Sequence, residues 1–187
     1  MIKDIFSSFL NEVKSKSLRP LGSLKSKFKK IGIVGSGLMG HGIAYVSSYY
    51  GFKVVLIDSS KENVLTAFSK IEKIFKMDIK QNLFSNSQME KCLENIKVST
   101  DVSDLKGCDL VIEAVYEDTA LKQDVTIAAE KIMESSGVFS SNTSTIPISK
   151  LATVSVRPEN FIGIHFFSPV HKMKLVEIIK NDKTKYL

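Results

Sequence analysis

The sequence predicts an α/β fold with a doubly wound, mostly parallel sheet, a helical excursion after the second strand and an antiparallel hairpin near the C-terminus. Three observations carry this. Short apolar runs alternate with stretches of helical periodicity over residues 29–155, as in parallel sheets covered by helices on both faces. Gly35, Gly37 and Gly40 fall in G-x-G-x-x-G spacing between the first apolar run and the first helical stretch. Two further apolar runs then meet around Pro169 with no helical pattern between them.

Taken in order, "KIGIVG" reads as a strand, "LMGHGIAYVSSYYG" as a helix ending at Gly51, and "KVVLID" as a strand. "KENVLTAFSKIEKIFKMDIKQ" reads as a long helix with Val64, Phe68, Ile71, Phe75 and Ile79 on one face. A second helix follows near Ser87–Glu94. "IKVST" and "CDLVIEAV" are strands, "DTALKQDVTIAAEKIMES" is a helix and "GVFSSN" is a strand. Ahead of all this lies an amphipathic piece (Ile5, Phe6, Phe9, Leu10, Val13) and a Lys/Ser/Pro/Gly stretch. Residues 1–28 are therefore read as a helix and linker arm, and residues 29–187 as one domain.

Composition excludes several classes. The chain has 187 residues and 43 % apolar content, and no apolar run approaches the roughly 20 residues of a membrane span. The N-terminus lacks the long apolar stretch and cleavage site of a secretory signal, so the chain is read as cytoplasmic. Cys92 and Cys108 have neither metal-ligand spacing nor companion histidines. They read as ordinary thiols in a reducing compartment, with no metal expected. The formal charge of +6 resides in residues 1–30, with eight Lys/Arg against two acids, while the rest is neutral with eighteen of each sign. The domain is thus no nucleic-acid binder by charge, and "KSKFKK" reads as a solvated linker.

The glycine loop has the context its chemistry needs, following a strand and opening a helix. Gly35 permits a tight turn, Gly37 lets the backbone approach a pyrophosphate, and Gly40 lets the helix pack close to the strand. The helix start, at Leu38 and Met39, offers free N–H groups and a positive dipole end to phosphate. "KVVLID" ends in Asp58. A carboxylate there can accept from ribose hydroxyls and would repel a 2′-phosphate, which favours NAD over NADP and a Rossmann-type fold. Asp58 can equally be an N-cap of the next helix, although Ser59 or Ser60 could do that instead. His41 reads as a packing or surface residue.

"GIHFFSPVHKMKLVEII" puts His165 and Glu177 in two neighbouring apolar runs. Such a pair is costly to bury unless its members meet. In an antiparallel hairpin facing residues have a constant index sum, so a turn centred on His171 places His165 opposite Glu177. The carboxylate can then hold one ring nitrogen and leave the other as a base. A structural His–Glu pair fits the same pattern. His171 falls in the turn and is expected in solvent. "SSNTSTIPIS" follows a strand, where Asn142 and Ser144 either face a ligand crevice or belong to a loop capped by its own hydroxyls.

Four strings, "GSGLMGHGIA", "VIEAVYEDTALK", "SSNTSTIPIS" and above all "GIHFFSPVHKMKLVEII", resemble the NAD-binding domain of L-3-hydroxyacyl-CoA dehydrogenases. The wording resembles the dehydrogenase part of the multifunctional fatty-acid oxidation α subunit more than the short single-function enzyme. The resemblance covers about residues 29–180. It implies oxidation of (S)-3-hydroxyacyl-CoA in β-oxidation, with His165 as base, Glu177 as its partner and Ser144 on the substrate's 3-oxygen. Asn142 is implied in the same pocket, and Glu117 and Lys122 lining the cofactor and substrate cleft. Gly35, Gly37, Leu38, Met39, Gly40 and Asp58 are implied to hold NAD, and the helices near residues 60–94 to surround CoA. The family continues into a helical C-terminal domain that completes the site and dimerises. With this sequence ending at Leu187, the partners expected beside the acyl-CoA substrate are a second copy (a homo-oligomer) or a separate chain that carries that domain. The alternative is a non-catalytic NAD-binding remnant.

Overall fold

The computed structural model describes residues 28–185. The helix and arm expected over residues 1–28 lie outside the described residues except for Phe28, which packs on the core. Seven strands form one sheet: β1 (Lys30–Val34), β2 (Lys53–Ile57), β3 (Ile96–Ser99), β4 (Leu110–Glu113), β5 (Val138–Ser141), β6 (Phe161–Phe166) and β7 (Val176–Lys180). Their order is β3-β2-β1-β4-β5-β6-β7. The first six run parallel, and β7 pairs antiparallel with β6.

The chain builds outward from β1 through β2 and β3, then returns to the other side of β1 with β4. Gly32 on β1 thus faces Val55 on one side and Val111 on the other. Ligands of open α/β sheets bind at the carboxyl ends of strands where the order reverses, and the glycine loop leaves β1 at that point.

The helices are α1 (Leu38–Tyr49), α2 (Lys61–Lys80), α3 (Asn86–Glu94), α4 (Thr119–Glu130) and the single turn α5 (Ile148–Leu151). One core layer joins Ile31, Ile33, Leu56, Ile164 and Phe166 to Ile43, Ile71 and Phe75. The other joins Val55, Val111, Phe139 and Phe161 to Leu105, Met133, Ile148 and Leu151. Burial on both faces explains why the inner strands are continuous β-branched runs rather than alternating ones. Ser60 caps α2 by accepting from Asn63 N, and Ser85 caps α3 in a capping box with Gln88.

Three details differ from the sequence reading. The buried stripe of α2 is Val64, Ala67, Ile71, Ile74 and Phe75, with Phe68 and Ile79 at its margin. Helix α4 stops at Glu130 rather than continuing through "KIMES", because the chain must turn back to β5. Met133 enters the core there, and Gly137 N donates to the Glu134 carbonyl at 2.9 Å. His171 is half-buried, its ring against Tyr45 at 5.9 Å, because the loop after β6 folds onto α1. No helix among the described residues is long and apolar enough to cross a membrane.

Candidate active site

The sheet's carboxyl edge carries two groups of polar residues. The first is the glycine loop. Gly35 has φ +101°, and a Cβ there would lie 2.5 Å from the Ala114 carbonyl oxygen; both conformation and space demand glycine. A Cβ on Gly40 would lie 1.8 Å from the Gly35 oxygen, whereas one on Gly37 would meet nothing within 4 Å. The backbone thus closes tightly on the strand side and stays open outside. Among the described residues no side chain caps α1, so the first amides, at Leu38 and Met39, are offered outward. The cradle fits a pyrophosphate, which supplies the negative charge that such a terminus favours.

Asp58 stands just past β2. Its Oδ2 accepts from Ser36 N at 2.9 Å and Ser36 Oγ at 2.8 Å, and its Oδ1 accepts from Asn63 Nδ2 at 2.9 Å. Burial raises its carboxyl, but these hydrogen bonds outweigh that and hold it below the usual carboxylate range. With Ser60 serving as N-cap, Asp58 is a charged, half-exposed carboxylate that braces the loop. His41 is buried, its Nδ1 2.7 Å from the Gly37 carbonyl oxygen. Burial lowers its pKa below the ordinary histidine value.

The second group centres on β6 and β7. His165 pairs with Glu177 in the strand register, as the constant-sum argument requires. His165 Nδ1 lies 2.8 Å from Glu177 Oε2 and Nε2 lies 3.2 Å from Ser144 Oγ. With Nδ1–H donating to the carboxylate, Nε2 presents its lone pair towards Ser144. Asn142 directly follows β5 and is buried; its Oδ1 accepts from Phe166 N at 2.9 Å, locking the end of β5 to the strand that carries His165.

Glu117 organises the loop that carries Ser144. Its Oε1 accepts from Thr143 Oγ1 at 2.5 Å, Ser144 N at 2.9 Å, Thr145 N at 3.0 Å and Thr145 Oγ1 at 3.1 Å. Burial raises its carboxyl, but these bonds and the Lys122 charge hold it at about 2. Lys122, expected to line the cleft, is only 1 % exposed. Its Nζ lies 2.8 Å from Glu113 Oε1, 3.2 Å from Glu117 Oε2 and 3.3 Å from the Val115 oxygen. It touches the cleft through Glu117 rather than directly.

Glu113 is the residue that sequence reasoning passed over. The signal was an acid inside the apolar run "DLVIEAV" nine residues before Lys122. Among the described residues, no group of three or more His, Cys, Asp or Glu side chains could hold a metal.

The family model for the NAD binding domain of 3-hydroxyacyl-CoA dehydrogenase matches residues 30–186. The chain belongs to that family. As a 3-hydroxyacyl-CoA dehydrogenase NAD-binding domain, it is 38 % identical over 172 residues to the fatty acid oxidation complex subunit alpha of Idiomarina loihiensis. The match covers 92 % of this chain and 24 % of that protein. The same subunit of Vibrio vulnificus is 39 % identical over 160 residues, covering 85 % of this chain and 23 % of that one.

Among solved structures, (S)-3-hydroxybutyryl-CoA dehydrogenase from Ralstonia eutropha superposes with a TM-score of 0.83 at 38 % identity, covering 84 % of this chain and 56 % of that one. The dehydrogenase part of multifunctional enzyme 1 from C. elegans superposes at 0.78 with 25 % identity, covering 98 % and 43 %. The domain thus spans about a quarter of the curated relatives (24 and 23 %). Its cofactor is NAD, as the family and the open glycine cradle agree.

Proposed function

We propose that this NAD-binding domain serves the oxidation of (S)-3-hydroxyacyl-CoA to 3-ketoacyl-CoA in fatty-acid β-oxidation. The observation that carries the reading is the line Ser144 Oγ–His165 Nε2, His165 Nδ1–Glu177 Oε2, with separations of 3.2 and 2.8 Å. Pure cofactor binding has no use for an imidazole oriented on both nitrogens.

His165 takes the substrate hydroxyl proton at Nε2, and Glu177 stabilises the imidazolium that forms. Ser144 holds the 3-oxygen through its hydroxyl and keeps it beside Nε2. Asn142 fixes the β5 end beneath this pair. Acceptance of the hydride that leaves the substrate's C3 is the chemistry that bound NAD would supply. Gly35, Gly37 and Gly40 with the Leu38 and Met39 amides hold its pyrophosphate, Asp58 its ribose, and Glu117 (braced by Lys122) the wall towards the substrate. A positioned base of this kind contributes about 10²–10⁴-fold in rate. Domain boundaries at residues 1–28 and 29–187 belong to the same reading. So does a cytoplasmic setting, which the two buried free thiols Cys92 and Cys108 support.

The test is oxidation of NADH with acetoacetyl-CoA by the purified chain. Turnover that His165→Ala abolishes while NADH binding survives supports the reading. A rate rising faster than linearly with protein concentration points to a homo-oligomer, and one that needs an added polypeptide points to a separate partner chain. NADH binding without turnover under all these conditions refutes it and leaves a cofactor-binding module.

A further inference from the structure

We propose that Glu113 is a positioning residue for Ser144, acting through Lys122 and Glu117. This rests on the reading of Ser144 and His165 as the reacting pair. The Glu113 side chain is fully buried at 0 % exposure, yet it ends β4 directly beneath the site. It ties together three segments. Oε1 accepts from Val115 N at 2.7 Å, at the start of the loop that carries Glu117, and from Lys122 Nζ at 2.8 Å on α4. Oε2 accepts from Ser141 Oγ at 2.6 Å, three residues before Ser144.

The contacts converge on two loops, those of Glu117 and Ser144, which meet each other. Lys122, pinned by Glu113, sets the place of Glu117 Oε2 at 3.2 Å. Glu117 Oε1 then gathers the amides of Ser144 and Thr145. Ser144 Oγ finally meets His165. The relay crosses from β4 to β6 by charge-assisted bonds, which are short and directional.

A lone Glu–Lys pair holding the fold would need no further links. Here the ammonium is shared between an inner carboxylate, which is fully enclosed, and an outer one, 35 % exposed. The inner one is the anchor. Without it, the ammonium has only Glu117 as a carboxylate partner among the described residues, with the Val115 oxygen at 3.3 Å, and the pair loses its buried anchor.

The experiment is amide hydrogen exchange by NMR on the whole chain, wild type against Glu113→Gln and the double variant Glu113→Gln/Lys122→Met. The double variant removes both buried charges, so it restores a neutral core without restoring the relay. In Glu113→Gln the Ser144 and Thr145 amides are expected to exchange at least about tenfold faster, the scale of one charge-assisted hydrogen bond. Those of Ile33 and Leu56 stay unchanged. In the double variant the Ser144 and Thr145 amides stay fast while the melting temperature recovers.

Exchange at Ser144 and Thr145 within twofold of wild type in Glu113→Gln, or its recovery in the double variant, overturns the proposal and leaves Glu113 a structural partner of Lys122. If Glu113→Gln does not fold, the double variant decides alone by the same criterion. Failure of the wild type to turn over acetoacetyl-CoA would retire the dehydrogenase reading without changing the exchange result, so the two can fail separately.

Discussion

Two alanine substitutions in one loop should separate folding from cofactor binding. At Gly40 a Cβ would stand 1.8 Å from the Gly35 oxygen, where real Cβ contacts stay beyond 3.0 Å. The start of α1 must therefore retreat from β1 by about 1.2 Å. Both clashing partners are backbone, so the strain falls at or above the upper end of overpacking, about 3 kcal/mol. The helix propensity gained over glycine returns about 1 kcal/mol. A net loss of at least about 2 kcal/mol lowers the melting temperature by at least about 4 °C for a domain of this size. At Gly37 a Cβ meets nothing within 4 Å, and φ −61° suits any residue. Reduced freedom of the unfolded chain then stabilises Gly37→Ala by about 0.4–1 kcal/mol. The same Cβ would intrude where a pyrophosphate must approach the backbone, and losing one charge-assisted bond weakens NADH by about 10–150-fold. Thermal melts and a fluorescence titration with NADH measure both quantities on each variant. Wild-type NADH affinity in Gly37→Ala would refute the placement of the dinucleotide on this loop. A wild-type melting temperature in Gly40→Ala would refute the packing argument.

Other substitutions probe the site and the core. Glu177→Gln keeps a polar partner for His165 but removes the charge that stabilises imidazolium; turnover should fall about 10–150-fold with NADH affinity unchanged. Glu117, held at about 2 against an ordinary 4.5, stabilises the fold above pH 4.5, and its contribution fades as pH falls towards 2. The melting-temperature gap between wild type and Glu117→Gln should therefore close across that window, and a gap that widens would contradict the hydrogen-bond assignment. His41, whose pKa burial lowers from 6.5, takes up its proton more readily in the unfolded chain. Stability should fall as pH drops below 6.5, less steeply in His41→Asn, as pH-dependent melts can measure. Ser47 Oγ is buried with no hydrogen-bond partner among the described residues. Ser47→Ala removes that desolvation penalty of about 1–3 kcal/mol and should raise the melting temperature by several degrees.

The parts legible in the sequence were those written in local spacing. The glycine loop and its flanking strand and helix follow from neighbours in the chain. The His165–Glu177 register follows from two apolar runs about one turn, because antiparallel pairing ties position to index. What the chain concealed lies in contacts between distant segments. Glu117 caps a loop 26 to 28 residues away, which no periodicity announces. Lys122 looks like an ordinary exposed lysine on a helix until the carboxylate that pulls it inward is found on another strand. Helix α5 has four residues, too short for any apolar pattern to distinguish from a loop.

The proposed catalytic pair is divided between strands of unequal support. His165 lies on β6, held by β5 on one side and β7 on the other. Glu177 lies on β7, an edge strand, where four of five residues are exposed and, among the described residues, β6 is the one strand paired with its backbone. Strands of that kind open locally at a fraction of the global unfolding free energy. Each such opening takes the carboxylate away from the imidazole while β1 to β5 stay intact. On the proposed reading, heat should therefore silence turnover before it unfolds the domain, and a protein stabilised only in its central strands would keep its shape longer without working at a higher temperature.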